Sequence, residues 1–367
     1  LKMDAGQFDH VTRRIFSAID RRRVMGVLGG LVASPLLGDT SADAKKKKSP
    51  VCLNGNTVNV SGKKRKKLMK QGATPGRCSG CAPQCNGARC WGSDGCGGTC
   101  GCPSGSLCNE GTCMPCTVAC TGTPIACGAA LQRALQDGGT VVACPGRYQG
   151  PFLVEKTATL NGAGPGDDPA TNTILDGEGS VAATLSVIRD IVFKLSGAKI
   201  TNGTQAGLWI FDDVDARASN CTFADNNGPG IATTGAIQLT NSTVRDNRSP
   251  SDGGGVYFYG AGPHFVDNCV ITGNSATNDG GGLFTTNDAY VTVTGTRIQG
   301  NTAKRGGGIF TEEGTMRLDS ATSITNNSAT EVGGGVARFG GTFNQNGASV
   351  SGNNAPSSPN CAGVTCV

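Results

Sequence analysis

Between residues 157 and 360, β-branched and aromatic residues come in runs of four to six, and Asn, Gly, Ser or Asp separates one run from the next. Within a run, apolar and polar positions alternate, which is strand and turn patterning with no helical period. The runs recur as VRDNRSPSDGGGVYF, ITGNSATNDGGGLF, IQGNTAKRGGGIF, ITNNSATEVGGGVARF and a last, glycine-free VSGNNAPSS. Triple glycines begin at Gly253, Gly280, Gly306 and Gly333, with asparagines ahead of them at Asn247, Asn274, Asn301 and Asn327, a period of 26 to 27 residues. A fixed period of that length predicts a solenoid, because one such unit cannot bury its apolar face alone and stacked units can.

Parallel coils stack about 4.8 Å apart, so equivalent positions form columns. Leu208, Ile231, Val256, Leu283, Ile309 and Val336 make one aliphatic column, predicted to point inward. Asn226, Asn247, Asn274, Asn301, Asn327 and Asn353 make another, whose amides can bond the same group above and below. The FxxN or IxxN phrase followed by GG and an aliphatic residue (FADN at 223–226, then GGGVYF, GGGLF and GGGIF) resembles the repeats of polymorphic outer-membrane proteins. More broadly it resembles right-handed parallel β-helix proteins secreted by bacteria. The resemblance implies an all-β, single-stranded right-handed parallel β-helix over residues 117–360, and it leaves activity open, since that superfamily includes lyases, esterases, adhesins and phage spikes.

The segment before the repeats adds a cap. Residues 128–137 place Ala129, Ala130, Leu131, Ala134 and Leu135 at helical spacing, ended by Gly138 and Gly139, and a strand and a PGRYQG turn follow. An amphipathic helix there would cover apolar side chains and strand edges that an open end leaves exposed. Cys127 in the helix and Cys144 in the strand are placed to clamp it. Cys361 with Cys366 and Cys52 with Cys120 are further candidate pairs, whereas Cys221 and Cys269 share a column with Ser242 between them. Two coils separate that pair by roughly 9.6 Å, beyond disulfide reach, which predicts two free buried thiols.

Charge is divided along the chain. Residues 45–70 hold ten basic and no acidic residues, while the chain from Gln71 onward is acidic by six charges. Residues 45–77 therefore read as a basic linker, either a solvated spacer or a docking segment for an anionic polymer or lipid surface. Residues 1–44 read as an export signal: Arg21, Arg22 and Arg23 precede a 14-residue apolar run and an Ala-x-Ala site, resembling a twin-arginine leader. Ten of the 18 cysteines lie in 78–116, a disulfide module in which Cys78-x-x-Cys81 and Cys113-x-x-Cys116 also have zinc-ligand spacing. Residues 361–367 form a tail. These features point to a secreted or envelope-associated monomer with no membrane span in the processed chain and no nucleic-acid partner.

Catalytic chemistry has little to stand on. Only His10 and His264 exist, and His264 reads as a surface or turn residue. Asp213, Asp215 and Arg217 are the best acidic and basic set, turned outward together if Val214, Ala216 and Ala218 face in, as a calcium-dependent polysaccharide lyase would require. Asp252 and Asp279 read as turn residues. The second candidate is the column beside the aliphatic one: Trp209, Ala232, Tyr257, Phe284, Phe310 and Ala337, with Phe211 and Tyr259 two residues on. Alternation turns it outward as a ladder for a sugar chain or a protein strand, whereas a glycine bulge would shift the phase and place it in the core. The sequence favours an extracytoplasmic structural or adhesion-like binding protein for a polysaccharide or envelope polymer, without cofactor or metal. The alternative is a lyase acting on acidic polysaccharide, with Ca2+ only in that case.

Overall fold

The structure, a computed structural model, describes residues 49–53, 56–70, 74–75, 106–109, 112–178, 180, 182–260 and 262–366. Residues 1–44, expected to be an export signal, and most of the expected cysteine-rich module lie outside the described residues. Pro115–Val367 belongs to one compact unit and the described part of Ile19–Met114 to another.

In the larger unit each coil supplies one strand in turn to three parallel sheets of nine strands. The first sheet runs from Gly139–Val142 to Thr342–Asn344, the second from Gly146–Gln149 to Ser349–Ser351, and the third from Phe152–Val154 to Cys361–Ala362. The expected aliphatic column is present on the third sheet, in register from Leu208 to Val336 and buried throughout. Tyr148, Leu175, Ile200, Phe223, Val244, Ile271, Ile298 and Ile324 face it from the second sheet. Period-two alternation thus fills a continuous core inside the coil.

Corners form where the chain tolerates a left-handed backbone. Between the first and second sheets stand Gly197, Asn220, Asn241, Asn268 and Gly295, with φ from 48° to 62°. Only Gly, Asn and Asp adopt that region at small cost, which is why these residues punctuate the runs.

The asparagine column lies behind the second sheet and is fully bonded. Asn274 Oδ1 accepts the backbone N–H and the Nδ2–H of Asn247 at 3.1 and 2.9 Å. Its own Nδ2 donates to Asn301 Oδ1 at 2.9 Å and to the Val244 carbonyl at 3.0 Å. The same pattern repeats at Asn301 and Asn327 and ends at Asn353, which bonds Asn360 just ahead of the tail.

The cap helix spans Pro124–Asp137, starting before the apolar spacing does because Thr123 caps it and proline occupies its first turn. Leu131 and Leu135 are buried under it, and at Gly128 a Cβ would lie 1.8 Å from the Gln149 carbonyl oxygen, so the helix rests directly on the first coil. The cysteine pairing differs from expectation. Cys144 bridges Cys116, and Cys127 bridges Cys120 seven residues away, which overturns both a Cys127–Cys144 clamp and a Cys52–Cys120 bridge. Cys116 is thereby committed, and Cys113 is disulfide-bonded too, so that pair is not a zinc half-site. Cys361 bridges Cys366, and Cys221 and Cys269 are free and buried.

In the other unit, part of the expected linker is folded. Ser49–Leu53 pairs antiparallel with Asn56–Val60 and with Thr74–Pro75, and a basic helix follows at Gly62–Met69. Leu68 and Met69 pack on the buried Val51 and Val60. No helix among the described residues is long and apolar enough to cross a membrane.

His264 is neither a surface nor a turn residue. It occupies an inward column between Ile237 and Val291, fully buried, 4.9 Å from the Phe258 ring. Gly260 and Pro263 around it signal a turn, but the side chain falls one residue inside the next strand.

Two outcomes are expected here. Asn301→Ala removes the acceptor for two buried donors and strips the Ile271 carbonyl, and should cost on the order of 3 kcal/mol in urea unfolding. His264 is lowered by burial from 6.5 to about 4. The folded state refuses a proton that the unfolded chain binds below pH 6.5, so its contribution is intact above that value and declines as pH falls toward 4, by about 3 kcal/mol. His264→Met, matching Met316 two coils on, should therefore gain stability relative to wild type at pH 4.5 and little at pH 7.5, read from melting curves.

Candidate functional site

From Asn247, Asn274, Asn301 and Asn327 the chain leaves the coil as an arch before the triple glycine returns it to the third sheet. The arches pair as a small fourth sheet of Arg248–Ser249, Ser275–Ala276, Thr302–Arg305 and Ser328–Val332. The first glycine of each triplet sets the return. Gly280 has φ 67°, and a Cβ there would lie 2.6 Å from the Leu283 carbonyl oxygen and 2.7 Å from Phe284 Cβ. Any larger residue would lift the arch off the strand below it.

That close return decides where the aromatic column sits. Strand alternation is strict: Leu208 and Ile210 point into the core, and Trp209 points away from it. Trp209, Phe284 and Phe310 are nonetheless buried, outside the main core, in two separate clusters that Tyr257 joins from the edge. The column thus faces outward and the arches cover much of it, a geometry between the two expected ones. Tyr257, Phe284, Phe310 and Phe339 stack in sequence at centroid spacings of 5.0, 5.6 and 5.7 Å, following the coil repeat. Trp209 stacks on Phe211 at 5.3 Å, and Tyr259 lies half-buried beside Thr286.

A cavity of about 290 Å³ opens where the arches of three successive coils meet this stack. Tyr257 and Phe284 form its apolar side; Asp252, Asn278, Asp279, Lys304, Arg305 and Glu312 form its polar side. Asp252 and Tyr257 also line a narrow cleft that runs on toward Trp209. Arg305 organises the polar side: Nε and Nη2 donate to Asp279 Oδ1 and Oδ2 at 2.8 and 2.5 Å. Its guanidinium carbon stands 5.0 Å from the Phe310 centroid and 4.4 Å from that of Phe339. Bidentate pairing and ring stacking together fix one rotamer.

Asp252 precedes Asp279 in the same arch column, its Oδ1 accepting the Asp279 backbone N–H at 3.1 Å. Burial pushes its carboxyl up to about 6, and the charges of Asp279 and Glu312 add to that against the pull of the Asp279 N–H bond. Stability linked to Asp252 is therefore present below its unfolded value and lost as pH rises through about 6, opposite in sign to His264. Among the described residues no group of three or more His, Cys, Asp and Glu is arranged to hold a metal ion, and both Asp279 oxygens are already taken by Arg305.

Asp213, Asp215 and Arg217 are elsewhere, at the outer face of the first sheet. Arg217 pairs with Asp215 at 3.2 Å on the solvent side of its strand, Asp213 sits in a turn at φ 62°, and none of the three lines the cavity. Asp225 bonds Lys199 instead. Reading Asp252 and Asp279 as turn residues located their backbone and missed their carboxyls. The available signal was the interval between ladder asparagine and triple glycine (RSPSD, SATND, TAKR, SATEV), which varies while its frame repeats.

Residues 185–355 match a protein family described as right handed beta helix region. That agrees with the coil seen here and gives its hand. No curated protein and no solved structure matches the chain.

Arg305→Ala should leave the largely buried Asp279 unpaired and unpin Phe339, lowering stability by about 2 kcal/mol in urea unfolding. Arg305→Lys should recover less than half of that loss, since an ammonium can neither bind both oxygens nor lie flat on a ring.

Proposed function

We propose that this chain is an extracytoplasmic, adhesion-like binding protein that holds a neutral glycan in the cleft along the third sheet. The observation that carries this reading is the cavity lined by Tyr257 and Phe284 together with Asp252, Asn278 and Glu312. A sugar ring has an apolar C–H face and a rim of hydroxyls, so it suits an aromatic wall facing carboxylates and amides. Export is supported by three disulfides in the β-helix unit, which belong to oxidising compartments.

Charge selects the class of glycan. Asp252, Asp279 and Glu312 meet Lys304 and Arg305 in one cavity, leaving no cationic excess to attract a polyuronate. The lyase reading loses ground for that reason, and also because Asp213, Asp215 and Arg217 stand apart from the cleft. A hydrolytic reading has one observation in its favour: Asp252, raised to about 6 by burial, is a carboxylic acid able to give up a proton near neutrality, one coil from the ionic Asp279.

Calorimetry with neutral and uronic-acid oligosaccharides tests the binding reading. Neutral oligomers should bind, and Tyr257→Ala should weaken them at least tenfold while the melting temperature moves by no more than a few degrees. Arg217→Ala should have no effect. Binding confined to uronic acids, or untouched by Tyr257→Ala, would sink the proposal. Release of reducing ends, abolished by Asp252→Asn, would instead establish hydrolysis.

A further inference from the structure

The second unit carries a charge arrangement that the cleft does not explain. In the basic helix Gly62–Met69 and the residue after it, Lys63, Lys64, Lys66, Lys67 and Lys70 are exposed, while Arg65, Leu68 and Met69 are half-buried. Positions 65, 68 and 69 share one face of a helix and 63, 66, 67 and 70 the opposite one. The apolar face is seated on Val51 and Val60 of the hairpin, so four lysines stand in a stripe about 10 Å long on a folded platform.

Nothing in the segment balances that stripe. No acidic residue occurs in residues 45–70, and the first turn, where the helix dipole is positive, holds Lys63 and Lys64 and no carboxylate. Each lysine pair three or four residues apart repels. A fold that holds like charges together against these terms is suited to a ligand that supplies the missing charge.

We propose that this face binds a linear polyanion, a polymer with a negative group on every repeating unit. A bilayer is the weaker fit, because membrane-seeking helices bury an apolar face in lipid and here Leu68 and Met69 are occupied by Val51 and Val60. The stripe consists of ammonium point charges, with Arg65 half-buried and outside it, and that suits closely spaced charge more than fork-like recognition of one group.

Fluorescently labelled inorganic polyphosphate and polyglutamate, titrated with the full chain and followed by anisotropy, provide the test. Either polymer should bind, and four neutralised charges predict a loss of about 50-fold between roughly 50 and 200 mM salt. Replacing Lys63, Lys66, Lys67 and Lys70 by Gln should abolish binding although the Lys45–Lys48 run remains, and it relieves repulsion, so folding is retained. Leu68→Ser with Met69→Ser keeps every charge but unseats the helix, and should weaken binding at least fivefold. Wild-type affinity in that double variant would mean a plain charged tether and overturn the proposal. So would binding to anionic phosphatidylserine vesicles with none to either polymer.

Discussion

A primary amide sealed in a protein interior has two donors and two acceptor positions to satisfy, and from Asn247 to Asn327 every one is met by the same residue of a neighbouring coil or by backbone. That requirement fixes the frame of the β-helix. Asn274 is bonded to the coil before it through the Val244 carbonyl and the Asn247 donors, and to the coil after it through Asn301. Any slip in register would strand several buried polar groups at once. The apolar columns tolerate variation, as Phe152, Leu185, Val256 and Ile309 do in one column of the third sheet. The amide column does not vary from Asn226 to Asn353.

Rigidity there frees the arches. Between the ladder and the glycine return, small buried residues such as Ser249, Ala276, Ala303 and Ala329 seat the arch, and Asp252, Asp279 and Arg305 meet across coils. The return itself is narrow, since Gly253, Gly280, Gly306 and Gly333 all press on the residue four positions on. Scaffold and site are thus separate parts of each repeat: alternating strands and corners set the spacing, and arches spend it on chemistry.

The same separation explains what was legible beforehand. Columns that repeat a residue type announce themselves: the aliphatic and asparagine rows and the isolated Cys221 and Cys269 follow from spacing alone. Side-chain direction along the third sheet was also readable, because Trp209 and Tyr257 alternate with Leu208 and Val256. Whether the outward row is bare or roofed depends on how close the arch returns, and that is set by a φ angle at one glycine. Asp252 and Asp279 were hidden because a turn residue and a buried carboxylate look alike in one dimension. His264 was obscured by Gly260 and Pro263, although counting from Ile237 would have set it in the column. Disulfide partners near the cap depend on a fold within bridging distance of several cysteines, a choice spacing does not make.

The ladder also has a direction. From amide to amide, each asparagine donates to the Oδ1 of the next coil toward the C-terminus and accepts from the coil before, so the row begins with the Gly203 N–H and is closed by Asn360, folded back beside Asn353. Interior coils are interchangeable in this respect, because each offers above what it requires below. Whole coils are consequently the unit in which such a chain can lengthen or shorten by duplication, whereas a change of a few residues outside an arch breaks the row.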